Sequence, residues 1–513
     1  MALLTPHWGL DGILICASLI VAAYMYATRN FKYWAKRGVP EIPPTPFFGN
    51  FGECFMLKKA SQDFAKELHC QFKGEPYAGF YIFDKPFFLV RDPELAKQVM
   101  VKDFRAFIDR YASADDSDPL GFANLFLMNN PRWRVLRTKL TPLFTSGRLK
   151  KMFDLMLVVA DELDRVLEES NLSTPKVMEM KDLAANFTTD LIATTIFGLQ
   201  VNSLRDPKTH FREQGRKMFD FNFFRGLEFL IIFFMPHLTK YYRAKIFGKH
   251  ATDYFRTIVG EVMNQRIKSG EKRNDLIDLL VELKQTHEKE GAIDGFKFTE
   301  DDLVSQAATF YLAGFETSSS AMAFGLYELA LNIDVQKTLR TEIHKALEKS
   351  EGKITYEMIM TLAYLDMVVS EVLRKYSALA FIERVAAVDY KVPNSDLVLE
   401  KGTPVYISLF GMHYDPEHYP DPEKFDPMRF SEENKEKRPA FTYFPFGEGP
   451  RACIGLRMGL MQAKLGIVRM ISKYEVTPCE ETPVPVLLQP RSSITASLTG
   501  LYMNVRKISK EAS

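Results

Sequence analysis

Cysteine is scarce in this chain: five residues (Cys16, Cys54, Cys70, Cys453 and Cys479) in 513, an odd number with no Cys-x-x-Cys pair. That argues against a disulfide framework and a secreted setting, and predicts a reducing compartment for most of the chain. Net charge is nearly absent too, 66 Lys+Arg against 65 Asp+Glu. No global field then draws nucleic acid or an anionic surface, so no nucleic-acid partner is expected and any electrostatic partner must be sought in local patches. There is no internal repeat and no long Gly/Ser or Pro linker after position 50, so one large domain is expected although the length alone would allow several. Clustered Cys and His at zinc spacing are missing, as is the C-x-x-C-H of covalent haem attachment. Gly447, Gly449 and Ala452 fit G-x-G-x-x-A, but they follow Pro445 and an aromatic run, not an aliphatic strand, which sets aside a dinucleotide site.

The sequence does contain the makings of a large core, 46% hydrophobic and 26% charged residues. The uncharged run 12–28 is long enough to span a thin bilayer. Its preceding charge is Asp11 and its following ones are Arg29, Lys32, Lys36 and Arg37, the reverse of a cleaved signal peptide, and the positive-inside rule leaves the body in the cytosol. A buried core helix is the alternative. Pro40, Pro43, Pro44 and Pro46 follow, and fixed φ at four places suggests a stiff spacer. The expected organisation is a membrane anchor over 1–30, a basic and proline-rich hinge over 31–50 and a catalytic domain over 51–513.

Through the body, Met152, Leu155, Val159, Leu163 and Leu167, and again Phe255, Val259, Val262 and Ile267, recur at helical spacing. β-like runs are confined to Tyr81–Val90, Pro404–Leu409 and Ser493–Val505. A mainly α fold with small peripheral β-sheets is predicted. The stretch Phe221–Met235 is apolar nearly all round, which suits a buried helix, a channel wall or a second membrane contact.

The sharpest local signal is the single cysteine in 446–455, in a Gly-rich turn before a helix-like stretch, where N–H groups and the helix N-terminus favour a thiolate. Phe446, Gly449, Arg451, Cys453 and Gly455 match F-x-x-G-x-R-x-C-x-G, and the chain thereby resembles the cytochrome P450 monooxygenases at their haem-binding signature. Four further segments carry the resemblance in the family's order. Ala313-Gly314-Phe315-Glu316-Thr317-Ser318 looks like the oxygen-activating motif; Glu371 and Arg374 form E-x-x-R; Pro422, Phe425, Pro427, Arg429 and Phe430 resemble the stretch that completes an ion-pair triad of Glu371, Arg374 and Arg429; Trp133 and Arg137 match W-x-x-x-R. Residues 33–40 and 140–147 are most similar to insect xenobiotic-metabolising members, and the anchor and hinge to the microsomal class. One departure is visible: the family often continues E-x-x-R-x-Y-P-P, whereas here Tyr376 is followed by Ser377, Ala378 and Leu379, and the missing prolines loosen the backbone there.

The resemblance implies a cytochrome P450 fold and haem b with Cys453 as axial thiolate. Arg137, Arg384, Arg451 and Trp133 would hold the propionates, with Arg110 a further candidate. Thr317 would hold or relay protons, with Glu316 in support, and Gly314 would let oxygen approach the helix; the plainer readings are back-bonding for Thr317 and an ion-paired face for Glu316. Helical spacing puts Ala313, Phe310 and Gln306 on the Thr317 side, and with Phe122, Phe126, Phe381 and Ile382 they would line an apolar pocket, core packing being the alternative for each Phe. Electrons would come from NADPH through the flavins of an NADPH-cytochrome P450 reductase, with cytochrome b5 as a further donor. Basic residues Arg132, Arg134, Lys139, Arg148, Lys150, Lys151, Lys435, Lys437 and Arg438 offer docking points. The expected reaction is monooxygenation of lipophilic small molecules at the cytosolic face of the endoplasmic reticulum membrane. A haem-thiolate isomerase or dehydratase, or a non-catalytic haem-binding protein, are the rival readings.

Overall fold

The structure, a computed structural model, describes residues 5, 7–219, 222–292 and 295–508. Helix dominates, as the periodicity predicts. The elements that position the site are α1 (Trp8–Thr28), α2 (Arg132–Leu140), α3 (Ser146–Glu169), α4 (Met180–Ile192), α5 (Phe223–Phe234), α6 (Glu300–Leu331), α7 (Ala363–Lys375) and α8 (Leu456–Lys473). In α3 the predicted stripe turns inward, with Met152, Val159, Leu163 and Leu167 buried. The central element is α6, 32 residues long, and its start is fixed by a capping box in which Thr299 Oγ1 accepts from the Asp302 N–H and Asp302 accepts from the Thr299 N–H.

Three small sheets sit around the helices. The first has the order β1 (Tyr77–Ile82), β2 (Lys85–Val90), β7 (Pro404–Ile407), β4 (Ile382–Val385), with β2 and β7 parallel and the other pairs antiparallel. The second joins β3 (Lys176–Glu179), β9 (Tyr502–Lys507) and β8 (Tyr474–Pro478), and the third pairs β5 (Tyr390–Lys391) with β6 (Val398–Leu399). Two β-like runs are shorter than the sequence suggests. Residues 81–90 break at Phe83, whose φ of 51° makes a turn, and 493–505 forms a strand only from Tyr502.

α1 leaves Ile13, Leu19, Ile20 and Met25 largely exposed and at 21 residues is about 30 Å long, enough to cross a membrane. The proline-rich segment behind it is not a free spacer. Trp34 is fully buried against Gly79, its backbone N–H donates to Tyr81 Oη, Gly79 N–H donates to the Pro40 carbonyl, and Tyr81 Oη donates to Glu41 at 2.6 Å. Residues 34–50 are therefore stitched along β1, because the fixed φ values hold the chain extended beside a strand with unsatisfied edge groups.

The apolar stretch of the sequence divides. Phe221 lies outside the described residues; on α5, Phe229, Leu230, Ile231 and Ile232 are buried while Phe223 and Phe224 are exposed. The helix thus packs its C-terminal half into the body and leaves two aromatic rings at its start uncovered.

Candidate active site

Cys453 sits in the loop ahead of α8. Gly449 has φ +72°, and a Cβ there would come within 2.1 Å of the Met100 carbonyl oxygen, so glycine is required for the loop to lie against 98–102. The Cys453 N–H donates to the Phe446 carbonyl at 2.9 Å, and Gly459 N–H to that of Gly455, closing the turn into the helix. The Cys453 side chain is accessible, yet its sulfur lies deep within the envelope of the fold. Burial pushes the thiol up, and the Gly455 N–H and the Arg137 and Arg110 charges pull it down without prevailing. A metal ion bound to the sulfur would remove its proton outright.

Beside the loop, cations outnumber anions. Arg451 donates to the Ile108 and Met128 carbonyls at 2.7 and 2.9 Å and pairs with Asp109 at 3.1 Å. Arg110 pairs with Glu383 at 2.7 Å, and Arg384 is 1% exposed with, among the described residues, only its neighbour's carbonyl at 2.8 Å for a partner. Burial lowers both Arg384 and Arg451 to about 9, reinforced in each by the Arg110 charge and in Arg384 also by Arg451. Arg137 is half-buried on α2, close enough for its charge and that of Cys453 to be felt. Arg110 Nε, Arg384 Nε and Arg451 Nη1 are buried with no partner among the described residues. Four guanidinium groups facing two carboxylates, with three orphaned N–H donors, fit a ligand that brings about two negative charges, as the two propionates of haem do. Trp133 is buried beneath Arg451, whose guanidinium lies 4.2 Å from the ring centroid.

On α6, Ala313 is exposed and Thr317 half-exposed in a helix otherwise mostly buried, so this stripe faces a space within the fold. Thr317 Oγ1 donates back to the Ala313 carbonyl at 2.7 Å. Phe310 on the same side packs on Phe144, ring centroids 5.4 Å apart. Three expectations fail here for local reasons. Gln306 is a strut, accepting from Leu125 N–H and donating to the Ala123 and Asp302 carbonyls, and does not line a pocket. Glu316 is turned to α4, where it pairs with Lys181 at 2.9 Å; Lys181 also bonds Ser319 and Ser320, which takes the carboxylate off the Thr317 stripe. Gly314 faces Ile192, whose Cδ1 would lie 2.5 Å from a Cβ, so the missing side chain serves the contact between α4 and α6.

The proposed pocket residues are also dispersed. Phe122 is 45% exposed and lies by Arg132, 5.6 Å from its guanidinium. Phe126 lies under Arg110 at 3.8 Å and meets Phe233 edge-on. Ile382 borders the cysteine loop near Gly447. Phe381 lines an apolar cavity with Phe229, Phe233, Phe234 and Tyr406, on a wall that also carries Glu383. Sequence reasoning missed Glu383, Asp109 and Lys181, while the α5 wall realises the channel-wall reading of the apolar stretch. An acid between Ile382 and Arg384 in an apolar strand was the one readable signal among them.

Beneath the cysteine loop, Glu371, Arg374 and Arg429 come together. Arg374 Nε and Nη2 donate to the two Glu371 oxygens at 2.7 and 2.8 Å, and Arg429 Nε lies 3.4 Å from Glu371. The proline-free stretch after Arg374 is tied rather than loose. Thr495 donates through its hydroxyl to the Ser377 carbonyl and through its N–H to that of Ala378, and Phe410 N–H donates to Ala380. Several of the basic docking candidates are occupied: Arg132 pairs with Asp302, Lys150 with Glu357, Lys435 with Glu432 and Lys437 with Glu433, and Arg438 lies over the Phe430 ring.

Comparison with known proteins agrees with this geometry. A family model described as Cytochrome P450 matches residues 39–502. The chain is 45% identical to Cytochrome P450 6k1 of Blattella germanica, covering 98% of both chains. It is 42% identical to Probable cytochrome P450 6g2 of Drosophila melanogaster (96% of this chain, 98% of the relative) and 39% identical to Cytochrome P450 6a2 of the same organism (96% and 99%).

Proposed function

Because the chain belongs to the cytochrome P450 family, and so is a haem-thiolate monooxygenase, we propose that it is a membrane-anchored, reductase-coupled enzyme that oxidises lipophilic xenobiotics. The observation that supports this reading is the pairing of a solvent-accessible Cys453 with a cluster in which four guanidinium groups face two carboxylates and three buried N–H donors have no partner among the described residues. The axial ligand would be Cys453, and Arg110, Arg137, Arg384 and Arg451 would hold the two propionates. Haem bound through a thiolate supplies the chemistry that activates dioxygen.

The residues of this chain do the rest. Gly449 and the bond from Cys453 N–H to Phe446 fix the sulfur's position. The α6 stripe bounds the opposite side. There Thr317 spends its donor on Ala313, so it presents lone pairs to whatever lies against it, and passing a proton on requires the hydroxyl to rotate and give up the 2.7 Å bond. Glu316, held by Lys181, acts as a brace between helices. The aromatic wall of α5 and Phe381 excludes water and favours hydrophobic ligands. Anchoring by α1 would place the body on the cytosolic face of the endoplasmic reticulum, beside the reductase and where lipophilic compounds concentrate.

Reconstitution with NADPH-cytochrome P450 reductase tests the reading. Substrate-stimulated NADPH consumption with an oxygenated product is expected from a panel of plant allelochemicals and insecticides. Turnover that proceeds without NADPH would favour the isomerase alternative, and binding with no product from any compound the haem-carrier one.

A further inference from the structure

The cavity under α5 is apolar except at a few points, and nearly all of those are satisfied within the protein. Tyr406 Oη donates to the Phe233 carbonyl at 2.7 Å, Ser492 Oγ to that of Ile494 at 2.6 Å, and Lys59 pairs with Glu67. Glu383 differs. It is 4% exposed, and one carboxylate oxygen, Oε2, is fixed by Arg110 at 2.7 Å while the other, Oε1, is buried without a partner among the described residues. No other residue on this wall carries such an atom. A buried acceptor left unmade is costly, and a site built around one rejects ligands that cannot supply the donor.

We propose that Glu383 is a specificity-determining residue whose Oε1 accepts a hydrogen bond from a hydroxyl group on an otherwise lipophilic substrate. The donor is neutral because Glu383 already has Arg110 as its counter-ion, and Arg384 and Arg451 are near enough to feel Arg110; an ammonium would meet three guanidinium groups. Position supports the role. Glu383 holds Arg110, whose charge reaches the Cys453 thiol, so a hydroxyl held there ties the ligand at the junction between cavity and haem site. The proposal rests on the monooxygenase reading only in calling the ligand a substrate, and binding measured without electrons separates the two.

The test uses full-length holoenzyme in detergent and three matched ligands, 4-hexylphenol, its methyl ether and the corresponding hexylamine-substituted arene, followed by spectral titration and by calorimetry. The wild type is expected to bind the phenol about tenfold more tightly than either analogue. In Glu383→Gln the amide oxygen keeps the Arg110 donor, which turns the NH2 group to the place of Oε1 and converts an acceptor into a donor. Preference should then fall to parity or reverse toward the ether. Equal wild-type affinity for phenol and ether, tighter binding of the amine, or an unchanged tenfold preference in the variant would each overturn the proposal. The wild-type comparison decides alone if the variant fails to take up haem.

Discussion

Replacing Glu371 by Gln keeps volume and removes one charge from a place where nothing can substitute for it. Glu371 and Arg374 are both fully buried, and Glu371 accepts two bonds from Arg374 and one from the Asp426 N–H at 3.0 Å. Without the carboxylate, Arg374 and Arg429 become two cations facing no anion, although Arg374 keeps its bonds to the His413 and Pro422 carbonyls. Breaking a buried pair on one side costs about 3–5 kcal/mol, a large part of the roughly 5–15 kcal/mol that keeps a domain folded. The unfolded fraction should rise by a factor on the order of 10² to several times 10³. Arg429→Gln should cost about 1 kcal/mol or less, because that contact is long, at 3.4 Å, and Glu371 keeps both bonds from Arg374 and the one from the Asp426 N–H. Urea unfolding followed by tryptophan fluorescence reads this directly, since Trp34 and Trp133 are buried, and the yield of haem-loaded protein should follow the same order. Equal costs for the two variants, or under 1 kcal/mol for Glu371→Gln, would refute the reasoning.

Thr317→Ala removes a half-exposed hydroxyl bonded only to its own helix, so stability and ligand binding should change little while product per NADPH falls and peroxide rises; unchanged coupling would remove Thr317 from the proton path. His413 is buried, and desolvation aided by Arg374 lowers it to about 3. The unfolded chain binds its proton near pH 6.5 and the folded chain does not, so stability is lost as pH falls from about 6.5 toward 3. His413→Gln should flatten that limb, and an acid limb identical to wild type would contradict it. Asn171 and Asn186 both head glycosylation sequons, but Asn186 is buried against Arg212 while Asn171 is exposed. Asn171 is therefore the informative site, and a glycosidase-sensitive mass shift there would overturn the cytosolic orientation.

The cysteine turn, the Glu371–Arg374 pair and the helical character of the body were legible because each rests on local spacing, one turn separating Glu371 from Arg374 and Cys453 closing its turn within eight residues, whereas Arg429 joined the pair only through the family resemblance. What was not legible depends on long-range partners. Lys181 reaches Glu316 across 135 positions, and no pattern around Glu316 distinguishes a brace from a proton relay. Gly314 reads as an opening for a ligand until Ile192 is seen to fill the space. The proline-rich segment reads as a spacer because proline fixes its conformation but not its neighbours, and only the fold shows Trp34 buried on β1. The pocket was the least legible part. Phe126 and Phe381 lie at the site while Phe122 lies by Arg132, and composition gives every Phe the same claim.

The most direct test of the central claim is the spectrum of the dithionite-reduced, carbon-monoxide-bound holoenzyme, wild type beside Cys453→Ser. A sulfur ligand from Cys453 predicts the red-shifted absorption of a haem thiolate in the wild type and its loss in the variant, since a neutral hydroxyl is a poor axial donor. The same red-shifted band in both proteins would mean that another residue holds the iron.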